Sequence, residues 1–116
     1  MPAESAKRYA PATLRNREPI REVLRDVLPE RGKALEIGSG SGEHAVFFAA
    51  SFPEIVWQPT DADPECLASI AAWMAEAALP NLRPPLHLNV ENRSWTAVAD
   101  QGFDAVVSIN MIHIAP

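Results

Sequence analysis

The sequence predicts an α/β fold: a doubly wound, mostly parallel sheet that stops after about four strands. Three observations predict it. Short β-rich runs alternate with helical segments along the chain. The first of those runs enters a cluster of three glycines that leads straight into a helix. The polar residues with chemical potential fall at the carboxyl ends of the strands: Glu36 to Gly42, Asp61, Asn89, Asn110 and His113. Strands alternating with helices imply parallel pairing through right-handed crossovers. In such sheets ligands bind beyond the carboxyl ends of the strands, where the strand order reverses.

The elements follow in order. Residues 1–13 contain Pro2 and Pro11 and no apolar period, and predict an arm or lid. A helix is predicted from Glu18, because Ile20, Val23, Leu24, Val27 and Leu28 make one apolar stripe. Glu18 with Arg21, and Glu22 with Arg25, sit three apart on its solvated side. Pro29 and Gly32 end it. Ala34 to Ile37 is the first strand, and Glu43 to Phe52 a helix stopped by Pro53. Ile55 to Gln58 is the second strand, which Pro59 interrupts because proline cannot donate to a ladder. Asp63-Pro64 opens a helix to about Ala78, an N-cap followed by proline at the first helical position. Leu86 to Val90 is the third strand and Phe103 to Ile109 the fourth.

Size and charge narrow the class. A chain of 116 residues, 47% hydrophobic and 22% charged, is enough for one domain spanning 1–116 and too apolar to be disordered. No apolar run is long enough to cross a membrane, and the N-terminus has no secretory pattern. The one cysteine, Cys66, excludes a disulfide framework and a multi-cysteine zinc site. A soluble, cytoplasmic setting is the default expectation. Residues 1–31 hold seven basic and five acidic side chains, for a net +2, while residues 32–116 hold three and ten, for a net −7. A body of that sign argues against nucleic acid as a partner.

The most informative stretch is Glu36-Ile-Gly-Ser-Gly-Ser-Gly42. Glycines between a strand and a helix let a ligand approach backbone N–H groups at the positive end of the helix dipole. A dinucleotide fingerprint needs a small residue where Glu43 stands, so a nicotinamide oxidoreductase is disfavoured. A P-loop needs a lysine followed by serine or threonine, which is absent. Asp61 closes the second strand about 20 residues on, where a carboxylate can accept both hydroxyls of a ribose. Asp63 is its rival, but its position before Pro64 suits a helix cap. Glu36 is read as support for the loop, with a second role toward the ligand. No two histidines have the spacing of a zinc hydrolase, and no metal site is expected.

The pattern acid-x-Gly-x-Gly-x-Gly resembles motif I of the Rossmann-like class I S-adenosylmethionine-dependent methyltransferases. Three blocks narrow the resemblance: Arg8 to Ile20, Leu35 to His44 and Phe103 to Pro116. They look like a methyltransferase-like family catalogued as a domain of unknown function, of which this chain matches an N-terminal portion. The resemblance implies S-adenosylmethionine as cofactor, with S-adenosylhomocysteine as product. It implies cofactor contacts from Glu36, Gly38, Ser39, Gly40, Gly42 and Asp61. Asn89 stands where that superfamily commonly carries an aspartate for the adenine amino group; it keeps an acceptor oxygen without the charge.

On the chemical side, His113 is the candidate base and Asn110 a candidate substrate ligand; the alternative for His113 is an ordinary hydrogen-bonded histidine. Asn110-Met-Ile-His lacks the Asn-Pro-Pro-aromatic signature of many amide and base methylases, which favours a small-molecule acceptor. Arg15, Asn16 and Arg17 are the candidate substrate side chains, or simply the solvated start of the first helix. His44 reads as polar surface and Cys66 as packing. Trp57, Trp73 and Trp95 read as core or rim, with an adenine-facing role as the alternative for Trp95. The family continues into a further helix and strands that supply substrate contacts, so this chain by itself is expected to be poorly active or inactive. A non-catalytic association module of the same fold is the alternative reading. The strand at 103–109 would then be an edge, and is expected to pair with its copy in a homodimer.

Overall fold

The computed structural model describes residues 11–89 and 102–108, and within it the side chains from Arg17 onward. Its elements are α1 (Pro11–Val27), β1 (Gly32–Glu36), α2 (Glu43–Ser51), β2 (Ile55–Asp61), α3 (Pro64–Ala77), β3 (Leu86–His87) and β4 (Ala105–Val107). The four strands form one sheet in the order β3-β2-β1-β4, and every pairing is parallel. The predicted α/β class is therefore correct, with a sheet wholly parallel. The order reverses between β1 and β4, so the glycine loop leaving β1 stands at the switch point.

Register fixes what each strand buries. Ala34 lies opposite Trp57 and Ala105, and Glu36 opposite Pro59 and Val107. Side chains alternate along a strand, so Ala34, Glu36, Ile55, Trp57, Ala105 and Val107 share one face. Leu24 of α1 and Ala45, Phe48 and Ala49 of α2 close over that face to make the core. Trp57 and Phe48 are its largest fully buried members, their rings tilted at 5.7 Å. Arg17 and Arg21 of α1 lie over the Phe47 ring of α2 at 4.8 and 5.1 Å, joining the two helices by cation–π contact. The i,i+3 ion pairs expected on α1 are present, Arg25 to Glu22 at 3.0 Å and Arg21 to Glu18 at 3.9 Å. No helix among the described residues is long and apolar enough to cross a membrane.

Several boundaries differ from the sequence reading. The first helix begins at Pro11, not Glu18, so residues 11–13 are its first turn and only 1–10, outside the described residues, remain of the predicted arm. Pro11 suits the first helical position, where a missing N–H removes no bond, and Pro19 is carried inside the helix. The second strand does not stop at Pro59 but runs to Asp61. The Trp57 N–H and C=O face Asn81 and Arg83. By alternation Pro59 presents its missing N–H to that same side, where pairing with β3 begins only at Thr60. The β1 ladder loses nothing, and the Gln58 amide donates to the Pro59 and Pro84 carbonyls at 2.9 and 2.8 Å. The third strand is only Leu86–His87, and the fourth only Ala105–Val107; Val90 and Ile109 lie outside the described residues.

Asn81 does work that the sequence reading missed. Its side-chain amide donates to the carbonyls of Ala49, Phe52 and Ile55 at 2.8, 3.2 and 2.8 Å, tying the end of α2 to the start of β2. Asp104 performs the same service for β1, exchanging backbone and side-chain bonds with Lys33 at 2.8 and 2.9 Å.

Candidate functional site

The loop from Glu36 to Gly42 is held from beneath by a network that begins at Glu36. Its side chain is wholly buried. Its Oε1 accepts from the Ser39 hydroxyl at 2.8 Å and from the Trp57 indole N–H at 3.1 Å. Its Oε2, also buried, has no hydrogen-bond partner. Burial pushes this carboxyl up from its ordinary 4.5 to about 7; the two donors pull the other way, and the negative charge of Asp61 adds to the rise. The sequence reading expected this acid to support the loop, and it does so through a serine hydroxyl and a core tryptophan.

Ser39 is the hub. Its N–H donates to the Thr60 carbonyl at 2.7 Å, and its hydroxyl oxygen accepts from the Thr60 N–H at 3.1 Å. Thr60 in turn donates its hydroxyl to the Glu36 carbonyl at 2.7 Å. Ile37 donates to the Val107 carbonyl at 2.8 Å, so β4 steadies the other side of the same turn. The loop leaving β1 is thus fixed to both neighbouring strands before any ligand arrives.

Asp61 stands across the loop at the end of β2. One carboxylate oxygen accepts from the Gly40 N–H at 2.9 Å and the other from the Asp63 N–H at 3.0 Å. A carboxylate offers about four lone-pair sites, so two remain for a further donor pair. Asp63 caps α3, accepting from the Glu65 N–H at 2.9 Å, as its position before Pro64 predicts. The Cys66 thiol lies 3.7 Å from Asp63 in that same first turn.

The glycines separate into different jobs. Gly38 has φ +66°, and a Cβ there would meet nothing within 4 Å, so its smallness leaves open space at the loop. Gly42 has φ +98° and is buried, and a Cβ there would come within 2.8 Å of the Ile70 backbone. It is where α2 and α3 approach, and the Ser69 hydroxyl donates to the Ser41 carbonyl at 2.6 Å beside it. Glu43 turns back to accept from the Ser41 hydroxyl at 3.0 Å.

Of the other singled-out residues, Asn89 is exposed and lies two residues beyond the end of β3, not within the strand. Arg17 lies over the Phe47 ring at 4.8 Å. Arg15 and Asn16 belong to α1, with side chains outside the described part; Asn110, His113 and Trp95 lie wholly outside it. His44 is not surface as expected: it is buried and stacks on Phe48 at 5.2 Å. The described residues hold no cluster of three metal-ligating side chains.

The all-parallel sheet reverses its order beside β1, where the three-glycine loop leaves, and Asp61 ends the neighbouring β2. Solved methyltransferase structures share this fold. Coclaurine N-methyltransferase, bound to N-methylheliamine and S-adenosylhomocysteine, superposes with a TM-score of 0.65 at 11% identity over 79% of this chain and 26% of its own. The human methyltransferase 10 domain containing protein gives 0.63 at 12% identity, over 84% of this chain and 50% of its own. The CurJ carbon methyltransferase gives 0.61 at 19% identity, over 97% and 31%. The chain therefore spans half or less of the length of each. Residues 7–116 match the family described as protein of unknown function, DUF938, and the chain belongs to that family.

Proposed function

We propose that this chain is the S-adenosylmethionine-binding portion of a methyltransferase acting on a small molecule. The observation that carries the reading is the arrangement at the switch point: Asp61 held by two backbone N–H groups with acceptor sites to spare, facing a loop that Gly38 leaves open. The fold shared with methyltransferases supports it. The residues fit the cofactor. Asp61 would take the ribose hydroxyls, the loop at Gly38 to Gly40 would lie against the amino-acid portion, and Asn89 would serve the adenine amino group. The cofactor supplies an electrophilic methyl group. What the chain supplies is a loop that needs no rearrangement, held by Glu36, Ser39 and Thr60. His113 and Asn110 are the proposed groups toward the acceptor, and Arg15, Asn16 and Arg17 a proposed flank for an acidic substrate group.

The test is calorimetric titration with S-adenosylhomocysteine and, separately, NAD. The reading expects S-adenosylhomocysteine to bind more tightly. Gly40→Val should abolish that binding, because a branched side chain would occupy the ligand's approach. Equal affinity of the two ligands, or a Gly40→Val variant that binds normally, contradicts it.

A second reading is favoured by a different observation. β4 is the last strand in the sheet order among the described residues, and beside it an apolar groove of about 640 Å³ runs between α1 and β4. Val23, Val27 and Val106 along it are 61%, 68% and 54% exposed. The face at β4 is therefore a proposed association surface, with an isologous strand pair as its simplest form.

A further inference from the structure

Thr60 carries an inference that deepens the cofactor-binding reading and rests on it. Its side chain is fully buried, so it has no surface to offer a ligand. It stands next to Asp61, the acid proposed for the ribose, and both residues reach across to the loop that leaves β1. The Thr60 hydroxyl donates to the Glu36 carbonyl at 2.7 Å. Its backbone C=O accepts from the Ser39 N–H at 2.7 Å, and its N–H donates to the Ser39 hydroxyl at 3.1 Å. One residue further, Asp61 accepts from the Gly40 N–H at 2.9 Å. Two consecutive residues of β2 thus fasten positions 36, 39 and 40 of the loop.

These bonds join two parts of the proposed site that belong to different strands. The nucleoside contacts, Asp61 and Asn89, come from the ends of β2 and β3. The contacts to the amino-acid portion, Gly38 to Gly40, follow β1. A glycine-rich loop loses much conformational freedom when it is fixed. A loop already held in its working position spares ligand binding that cost. The far end of the loop is held separately, by the Ser69 hydroxyl on the Ser41 carbonyl at 2.6 Å. Beside Asp61 the Thr60 hydroxyl is the fastening that a substitution can remove while the backbone and the Asp61 carboxylate stay as they are.

We propose that Thr60 is a positioning residue: its hydroxyl sets the spacing between Asp61 and the glycine loop, and so makes the site selective for ligands that engage both at once. A ligand held by both parts gains from the fixed spacing. A ligand held on the Asp61 side alone does not. Asp61 keeps its place at the end of β2, with the Asp63 N–H on its second oxygen, whether or not the loop is fastened.

The experiment compares S-adenosylhomocysteine, which spans both parts, with adenosine, which lacks the amino-acid portion. Each is titrated calorimetrically into the whole chain as wild type, Thr60→Val and Thr60→Ser, with the folded fraction read by circular dichroism. Thr60→Val keeps the branched shape of the side chain and removes the donor. It should weaken S-adenosylhomocysteine by about tenfold, the scale of one lost hydrogen bond, and leave adenosine within about twofold. Thr60→Ser retains the hydroxyl and should restore the S-adenosylhomocysteine affinity. Equal losses for the two ligands, no loss in Thr60→Val, or a Thr60→Ser variant as weak as Thr60→Val overturns the proposal alone. Adenosine that fails to bind the wild type, while S-adenosylhomocysteine binds, also overturns it. Failure of S-adenosylhomocysteine to bind the wild type overturns the cofactor reading and the positioning role with it. Should Thr60→Val not fold, amide hydrogen exchange of the wild type is the deciding measurement. The Ser39 and Gly40 amides should exchange slowly already without ligand, and exchange at the rate of exposed amides overturns the proposal.

Discussion

Glu36 is wholly buried at the end of β1, where its carboxyl accepts from Ser39 and Trp57. Its carboxyl is raised from 4.5 to about 7, chiefly by burial. The folded state therefore holds a proton that the unfolded chain has already lost between those values. Stability from this group is full below about pH 4.5 and is lost as pH rises through about 7. The amount at stake is on the order of 3 kcal/mol. Denaturant unfolding of the wild type and Glu36→Gln should diverge over that window, the variant gaining relative to the wild type as pH rises. A constant difference from pH 4.5 to 8 would show that Glu36 does not titrate there. Gly42 makes a second residue-scale prediction. Alanine there would bring a Cβ against the Ile70 backbone at a positive φ, so Gly42→Ala should destabilise by ~1–3 kcal/mol. Gly38→Ala meets no atom within 4 Å and should cost less, through backbone strain alone. Thermal melts of the two variants rank them, and equal losses would refute the division of labour between the glycines.

At the scale of elements, what was legible in the sequence was local chemistry, and what was not was tertiary compensation. The Asp63-Pro64 start of α3 was readable because a cap and a proline at the first helical position act within one turn. The glycine loop was readable for the same reason. Continuation of β2 through Pro59 was not, because it depends on which edge the proline presents and on Gln58 reaching Pro84, 26 residues away. The Trp57 bond to Glu36 and the triple anchorage by Asn81 span 21 to 32 residues and leave no periodic trace. The apolar stripe of α1 was read correctly as a pattern but only in part as burial. Leu24 enters the core, while Val23 and Val27 stay exposed beside the groove. That groove locates the test of association. Val107 is buried, so a charge there would damage the core, whereas Val106 faces outward. Sedimentation of the native chain beside Val106→Lys should show an assembly that the lysine disrupts. A native chain that sediments as a soluble monomer at micromolar concentration refutes pairing through β4.

For the whole molecule, the charge division seen in the sequence acquires a location. Glu43, Asp61, Asp63 and Glu65 lie at the carboxyl end of the sheet with Glu36 buried at the end of β1, while α1 carries Arg15, Arg17, Arg21 and Arg25. The shared fold spans from 26% to 50% of the methyltransferases it matches, so the proposed division places cofactor contacts in this chain and most acceptor contacts elsewhere. Turnover by the 116 residues alone is accordingly expected to be poor. The claim beneath all of this is that Asp61 and the glycine loop form one nucleoside-binding site. Titration of S-adenosylhomocysteine into the wild type and Asp61→Ala tests it most directly. One site per chain is expected, preferred over NAD and weakened in the variant by ~1–3 kcal/mol, the usual loss for charge-assisted hydrogen bonds. Identical affinity in the two proteins, with the variant still folded, would contradict it.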